Sequence, residues 1–391
     1  MPERSPSPQR TAYLRAQRRR RRLVLALQIL LLAAFLGLWE LTARLGWVDA
    51  FIVSSPSRVV RTLAALQSSG ELWLHIGTSC LEVVAGFLLG TLLGTLIAIG
   101  LWWSELLSRV LDPYLVVLNA LPERSLSPQR LAYLRAQKRR RRLVLALQVL
   151  LLAVFLGWWE LAARCGWVDA FIVSSPSRVV HTLVGLQNSG ELWLHIGTSC
   201  LEVVVGFVLG TLLGTLIAIG LWWSELLSRV LDPYLVVLNA LPKTALGPVF
   251  IVWIGAGTES IIAMTIAISI FVTILNMHVG FLSTDREKIR LMQTLGATRH
   301  QILWRLVIPA NYATLFNTLR VNVGLSWVGV IMGEFLVSKA GLGYLIVYGS
   351  QVFNMDLVMA TVLVLAVAAV VMYQLVLWLE KFFKNRLGVT Q

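Results

Sequence analysis

Residues 236–254 read VVLNALPKTALGPVFIVWI, an apolar run carrying two prolines and one lysine. Residues 116–125 open with the same words, VVLNALP, and then turn polar with ERS. The first version continues, so that Tyr234–Ile254 is expected to form a proline-kinked helix of about the length that crosses a bilayer core of roughly 30 Å. The second stops at Pro122 and runs into a basic stretch. Residues 105–121 are therefore expected to lie as an interfacial helix at the cytoplasmic face. One apolar sentence with two endings already implies helices in a membrane, and it implies that a part of the chain occurs twice.

The repeat is long. Residues 2–122 align with 122–242 at a constant offset of 120, and 14 of the 121 positions differ. Most changes are mild, such as Ile29/Val149 and Leu88/Val208; Leu38/Trp158 and Arg61/His181 are larger. A period this long is not a solenoid period. The two copies read as a tandem duplication or a fusion of two close paralogues. Both open with a dense arginine cluster, so both favour the same side of the membrane. This argues against the inverted repeats of many secondary transporters.

Composition agrees. Of the 391 residues, 57% are hydrophobic, against about 45–50% in soluble domains. The apolar runs are continuous rather than alternating, which argues for helices and against a transmembrane barrel. The net charge is +14. It is accounted for by two clusters, in residues 1–22 and 122–142, each with eight basic residues and one glutamate. Each directly precedes an apolar run, so the clusters are topology signals that can also touch anionic lipid. No folded basic domain accompanies them, and nucleic acid is excluded as a partner. Cys80, Cys165 and Cys200 suggest neither a disulfide framework nor a metal site. The first apolar run lacks a small-residue cleavage site and is expected to be retained rather than removed as a signal peptide.

Eight spans are expected: Leu23–Leu41, Leu81–Trp103, Leu143–Leu161, Leu201–Trp223, Tyr234–Ile254, Ile261–Phe281, Leu315–Val337 and Met359–Leu379. The fold class is an all-α polytopic membrane protein, with six spans in residues 143–391 and two extra N-terminal ones. Residues 1–121 form the duplicated segment and residues 122–391 the complete unit. Both termini are expected in the cytoplasm, the C-terminal one through the basic EKFFKNRLG.

Several residues stand out within this frame. Gly206, Gly210 and Gly214 recur every fourth residue, a spacing that lets membrane helices approach closely. Polar residues inside spans are costly. Asn317, Asn322 and Glu334 are thus candidates for a translocation path, with helix capping as the other role open to Glu334. Arg320 lies fourteen residues before Glu334, too far along one helix to pair with it. His278 and His300 are expected to be interface or loop residues. No nucleophile–base pair or metal-ligand spacing is present, so no catalytic residue and no metal are expected. The phosphate-loop pattern G-x-x-x-x-G-K-[ST] is missing, so this chain is not itself an ATPase.

Residues 283–312 form the longest polar stretch of the second half, STDREKIRLMQTLGATRHQILWRLVIPANY. They read as two short helices broken at Gly296 and stopped at Pro309. Ile289, Met292 and Leu295 share one face of the first; Ile302, Leu306 and Val307 line the second. An exposed helix–Gly–helix with an apolar stripe suits a partner's groove, and it equally suits a loop lying on the membrane.

This stretch resembles the EAA loop of the permease subunits of binding-protein-dependent ABC importers. Gly296, nine intervening residues, then Leu306, Ile308 and Pro309 carry the resemblance, whereas Arg290, Leu291 and Met292 stand where that family has Glu-Ala-Ala. The segments SSPSRVV, GELWLHIGTS, LDPYLVVLNALPKTALGPVFIVWIGAG and EFLVSKAGLGYLI extend the likeness over residues 143–391, toward the nitrate/sulfonate/taurine branch. The resemblance implies a type-I importer permease bundle with its core at about 195–383, in the bacterial inner membrane. It implies coupling through Arg290, Leu295, Gly296, Ala297, Leu306, Ile308 and Pro309 to a separate ATPase that binds the ATP, and no cofactor of the chain's own. It further implies an extracytoplasmic solute-binding protein and a second permease copy as partners. A secondary transporter that uses no ATP, or a non-functional fusion, is the alternative reading.

Overall fold

The structure, a computed structural model, describes residues 8–47, 53–103 and 130–387. The interfacial helix expected over 105–121 lies outside them. Among the described residues the main elements are α1 (Pro8–Arg44), α2 (Pro56–Ser68), α3 (Glu71–Trp103), α4 (Arg130–Arg164), α5 (Pro176–Ser189), α6 (Glu191–Trp223), α7 (Glu225–Ala240), α8 (Gly247–Ile254), α9 (Thr258–Leu282), α10 (Arg286–Thr294), α11 (Tyr312–Val337), α12 (Leu342–Gln351) and α13 (Met355–Leu387). Seven are long and apolar enough to cross a membrane; an eighth span results if the bent pair around α7 and α8 counts as one. The all-α polytopic architecture expected from the apolar runs is what the chain adopts.

The helices extend beyond the apolar runs. α6 begins at Glu191, ten residues before the expected Leu201, because nothing between Gly190 and Ser224 breaks it. Gly190 itself sits at φ 78, a left-handed conformation that glycine adopts without strain. The bend between α7 and α8 also differs from a simple proline kink. Pro233 is carried inside α7, and the turn falls at Leu241–Pro242. A residue before proline is pushed out of the helical region; Leu241 is extended at ψ 138, and the two arms, Glu225–Ala240 and Lys243–Ile254, meet at 87°.

Two compact units divide the chain. The first comprises residues 1–56, 187–351 and 361–391. At its centre α9 is clasped by α6 and α11 through small residues. A Cβ on Gly206, Gly210 or Gly214 would lie 2.5 Å from Thr265 Cγ2, 2.1 Å from Ser269 Oγ and 2.7 Å from Thr273 Cβ, respectively. From the other side, a Cβ on Gly329 would lie 2.8 Å from the Thr265 Cα and one on Gly333 would lie 3.0 Å from Ile261 Cγ2. Lipid tails are as apolar as leucine, so close van der Waals approach rather than a hydrophobic drive holds such helices together. Thr265, Ser269 and Thr273 are fully buried and donate their hydroxyl protons to carbonyls one turn back on α9, which satisfies them inside the seam.

The first helix of copy one belongs to this same unit. On α1, Arg20 pairs with Glu225 of α7 at 2.7 Å. Gln28 Nε2 donates to the Arg229 carbonyl at 2.9 Å, and Tyr234 Oη donates to the Gln28 carbonyl at 2.5 Å.

The second unit comprises residues 57–186 and 352–360. Glu160 near the end of α4 receives the Ser177 N–H at 3.0 Å and the Ser177 hydroxyl at 2.9 Å, capping α5. Asp356 accepts from Ser174 Oγ at 2.7 Å and from Arg178 Nε at 2.9 Å. In α3 the side chains are almost wholly exposed. Gly86, Gly90 and Gly94 are the counterparts of the α6 glycines, and a Cβ on any of them would meet nothing within 4 Å among the described residues.

Candidate functional site

Residues 283–312 form a compact reversal between α9 and α11. Asp285 caps α10 by accepting the Glu287 N–H at 2.9 Å. The chain turns at Gly296, whose φ of 80 is left-handed. Thr298 and Gln301 then form a reciprocal capping box that starts the second helix at Arg299. That helix widens to a π-turn over Leu303–Val307 before Pro309. Proline has no N–H to offer and its ring crowds the preceding turn; the wider turn accommodates it. Asn311 closes the reversal: its buried amide donates to Thr284 Oγ1 at 2.9 Å and to the Val307 carbonyl at 2.8 Å. Arg299 reaches the Trp223 carbonyl at the C-terminal end of α6, at 3.0 Å.

The two faces of this reversal are distinct. Ile302, Leu303 and Val307 are buried with Ala218, Met277 and Phe281, and Ile289, Met292, Ala297, Leu306 and Ile308 pack against that cluster. The outward apolar residues are Leu291, Leu295 and Trp304, at 60%, 78% and 55% exposure. Arg290 and Gly296 are exposed beside them, and Pro309 is half-buried. The stripe expected from spacing is therefore split. Ile289, Met292 and Leu306 face the chain's own bundle, while Leu295 faces out with two residues, Leu291 and Trp304, that spacing did not single out.

The comparison with known proteins bears on this loop and the bundle behind it. Residues 210–389 match the family described as binding-protein-dependent transport system inner membrane component. The formylaminopyrimidine transport permease protein ThiX of Halalkalibacterium halodurans is 31% identical over 186 residues, 48% of this chain and 74% of that protein. The putative aliphatic sulfonates transport permease protein SsuC of Bacillus subtilis is 30% identical over 219 residues, 56% of this chain and 79% of the relative. The chain belongs to the binding-protein-dependent transport system inner membrane component family. The taurine transport system permease protein TauC of Escherichia coli is similar too, at 27% identity over 224 residues, 56% of this chain and 81% of TauC. The chain is accordingly a multi-pass inner-membrane transport component of the ABC importer class rather than an enzyme. The family works with an ATPase and a solute-binding protein, and the comparisons do not favour a secondary transporter.

The polar residues singled out in this transport component's spans lie in different settings. Asn322 is fully buried in the clasped seam; its amide donates to Thr211 Oγ1 at 2.9 Å and Thr273 Oγ1 at 2.7 Å, tying α11 to both α6 and α9. Asn317 is exposed on α11. Arg320 forms an ion pair with Glu380 of α13, which Lys384 also meets at 2.8 Å.

Glu334 is 2% exposed and caps α12 from a neighbouring helix. Its carboxylate accepts from Ser199 Oγ at 2.5 Å and from the Gly343 N–H at 2.5 Å. The Leu342 N–H donates to Ser199 Oγ at 2.7 Å, and the Gly341 N–H to His195 Nδ1 at 2.9 Å. The first N–H groups of a helix have no partner within it and present positive charge. Here α6 and α11 supply the acceptors, and the Glu202 carboxyl lies beside that of Glu334. His195, Ser199, Glu202 and Glu380 escaped the sequence reading; a charged residue within an apolar run, as in TSCLEVV, is the signal that could have found Glu202.

Proposed function

We propose that this chain lines the path by which a small oxyanion, a sulfonate, taurine or nitrate, crosses the bacterial inner membrane, and that two copies work together with two ATPase subunits. ATP is bound by the ATPase subunits, with no cofactor in the chain, and the solute-binding protein delivers from outside. The names of the relatives SsuC and TauC support the substrate class. The basic N-terminal clusters support cytoplasmic termini and a cytoplasmic 283–312 loop. Within one copy the seam of α6, α9 and α11 is at van der Waals contact, so the solute is proposed to pass between copies, with Asn317 rather than the enclosed Asn322 and Glu334 toward the path.

The observation that carries the coupling role is the two-faced loop. Its inner face is fastened to the bundle, and Leu291, Leu295 and Trp304 project from it exposed, with no packed core over them among the described residues. Such a unit can transmit a push rigidly. Gly296→Asp tests the reading: a side chain at this left-handed turn is expected to abolish co-purification with the ATPase and ATP-driven uptake. Intact assembly and uptake would overturn it.

A further inference from the structure

The two endings of VVLNALP part company at one position: copy one continues with Glu123, copy two with Lys243. Lys243 stands at the break between α7 and the arm that carries α8. Its ammonium donates to the Asn239 carbonyl at 2.7 Å, with Asn239 Oδ1 at 3.4 Å, and lies 6.0 Å from the centre of the Phe271 ring. An ammonium has three protons to give; the Asn239 carbonyl takes one and its Oδ1 more weakly a second. Among the described residues no carboxylate lies within ion-pair distance of it, in contrast to Arg320, which has Glu380. The side chain is half-buried, with Leu241 and Trp253 exposed along the same two arms. A cation among apolar helices is costly unless something neutralises it, and a carbonyl does so only in part. Breaks in membrane helices are also where backbone and side-chain polar groups become available to a passing solute.

We propose that Lys243 is the residue that recognises the oxyanion in transit: the sulfonate or nitrate supplies the missing counter-charge at the break, binding the ammonium proton that Asn239 leaves free. The inference rests on the permease reading above and adds the site. The other source of an oxyanion, a lipid headgroup phosphate, would neutralise Lys243 without discriminating among solutes.

The test uses the full chain with its own ATPase and binding protein, in cells, with radiolabelled taurine, nitrate and an uncharged solute of similar size as probes. Lys243→Met is expected to lower anion uptake by about tenfold or more, the worth of a charge-assisted hydrogen bond, at unchanged membrane level, while Lys243→Arg retains most of it. Lys243→Cys allows a stricter version in one folded protein. Attaching an aminoethyl group by a thiol reagent restores uptake, and attaching a sulfonatoethyl group does not, with the native cysteines as the unmodified-lysine control. Where Lys243→Met and Lys243→Cys fail to reach the membrane, Lys243→Arg decides, through a changed KM ratio of taurine to nitrate; an unchanged ratio overturns the proposal. Wild-type uptake by Lys243→Met, or equal loss of anion and uncharged solute, also overturns it and returns Lys243 to capping α7 or holding a lipid. Uptake by the wild type of uncharged solutes alone overturns this inference and keeps the permease reading; no ATP-dependent uptake of any solute overturns both.

Discussion

Ser199 on α6 donates its hydroxyl proton to Glu334 on α11 at 2.5 Å while receiving the Leu342 N–H at 2.7 Å. One hydroxyl thus joins three helices, and the carboxylate it serves closes the N-terminus of α12. A Cβ on Gly341, at φ 119, would lie 2.3 Å from that carboxylate. Gly341→Ala is expected to cost about 2–3 kcal/mol through backbone strain and the clash. Glu334→Ala, which strands the Gly343 N–H, is expected to cost about 1–3 kcal/mol. Thermal unfolding of the detergent-solubilised chain measures both; unchanged midpoints would show that the cap does not hold this end of the bundle.

The repeat supplies a matched control for the glycine seam. Gly214→Ala drives a methyl group against Thr273 and toward the Ile270 carbonyl at 3.0 Å, whereas Gly94→Ala on α3 meets nothing within 4 Å among the described residues. The first is expected to destabilise by about 1–3 kcal/mol, as overpacking does, and the second to leave the unfolding midpoint in place. Equal effects of the two substitutions would contradict the seam.

Arg320 and Glu380 are both largely enclosed, at 17% and 8% side-chain exposure. Removing one partner of such a pair strands the other charge, so Arg320→Met is expected to cost roughly 3 kcal/mol, lessened by Lys384. The double variant Arg320→Met with Glu380→Leu is expected to be more stable than Arg320→Met alone. A double-mutant cycle on melting midpoints checks this, and strict additivity would refute the coupling.

The two faces of the 283–312 reversal predict opposite phenotypes. Ile302→Asp buries an unpaired charge and is expected to lower the amount of folded protein. Leu295→Asp alters only an outward residue and is expected to leave membrane levels unchanged while reducing ATPase co-purification by about tenfold, as loss of a central apolar contact does. Quantitative pull-down against expression level separates the two.

Much of this was legible beforehand for a simple reason. A chain in lipid must satisfy its backbone within each segment, so a long apolar run has one structural meaning. The helix–Gly–helix of the loop was legible in Gly296, and the seam in the spacing of Gly206, Gly210 and Gly214; Pro309, expected to stop the second helix, is instead carried within it, because the π-turn before it absorbs the ring, and the helix ends at Ala310. What hydrophobicity could not sort was direction. Ile289 and Met292 look inward and Leu291 and Leu295 outward, yet all four are apolar, because lipid, core and partner accept the same side chains. Inside the bundle the discriminating residues are small or polar: Thr265, Ser269, Thr273 and Asn322 sit where a soluble protein would place leucine. The partners of Glu334 and Arg320 were hidden for another reason. Ser199 and Glu380 lie 135 and 60 residues away, and no local spacing encodes such meetings.

α3 and α6 carry nearly the same 33 residues, one almost wholly exposed and the other threaded into the seam. Both are complete helices. The same sequence thus forms its helix in both settings, and what differs between them is what its faces meet. The glycines of α6 are held there by steric necessity, whereas a side chain at those of α3 would meet nothing within 4 Å among the described residues.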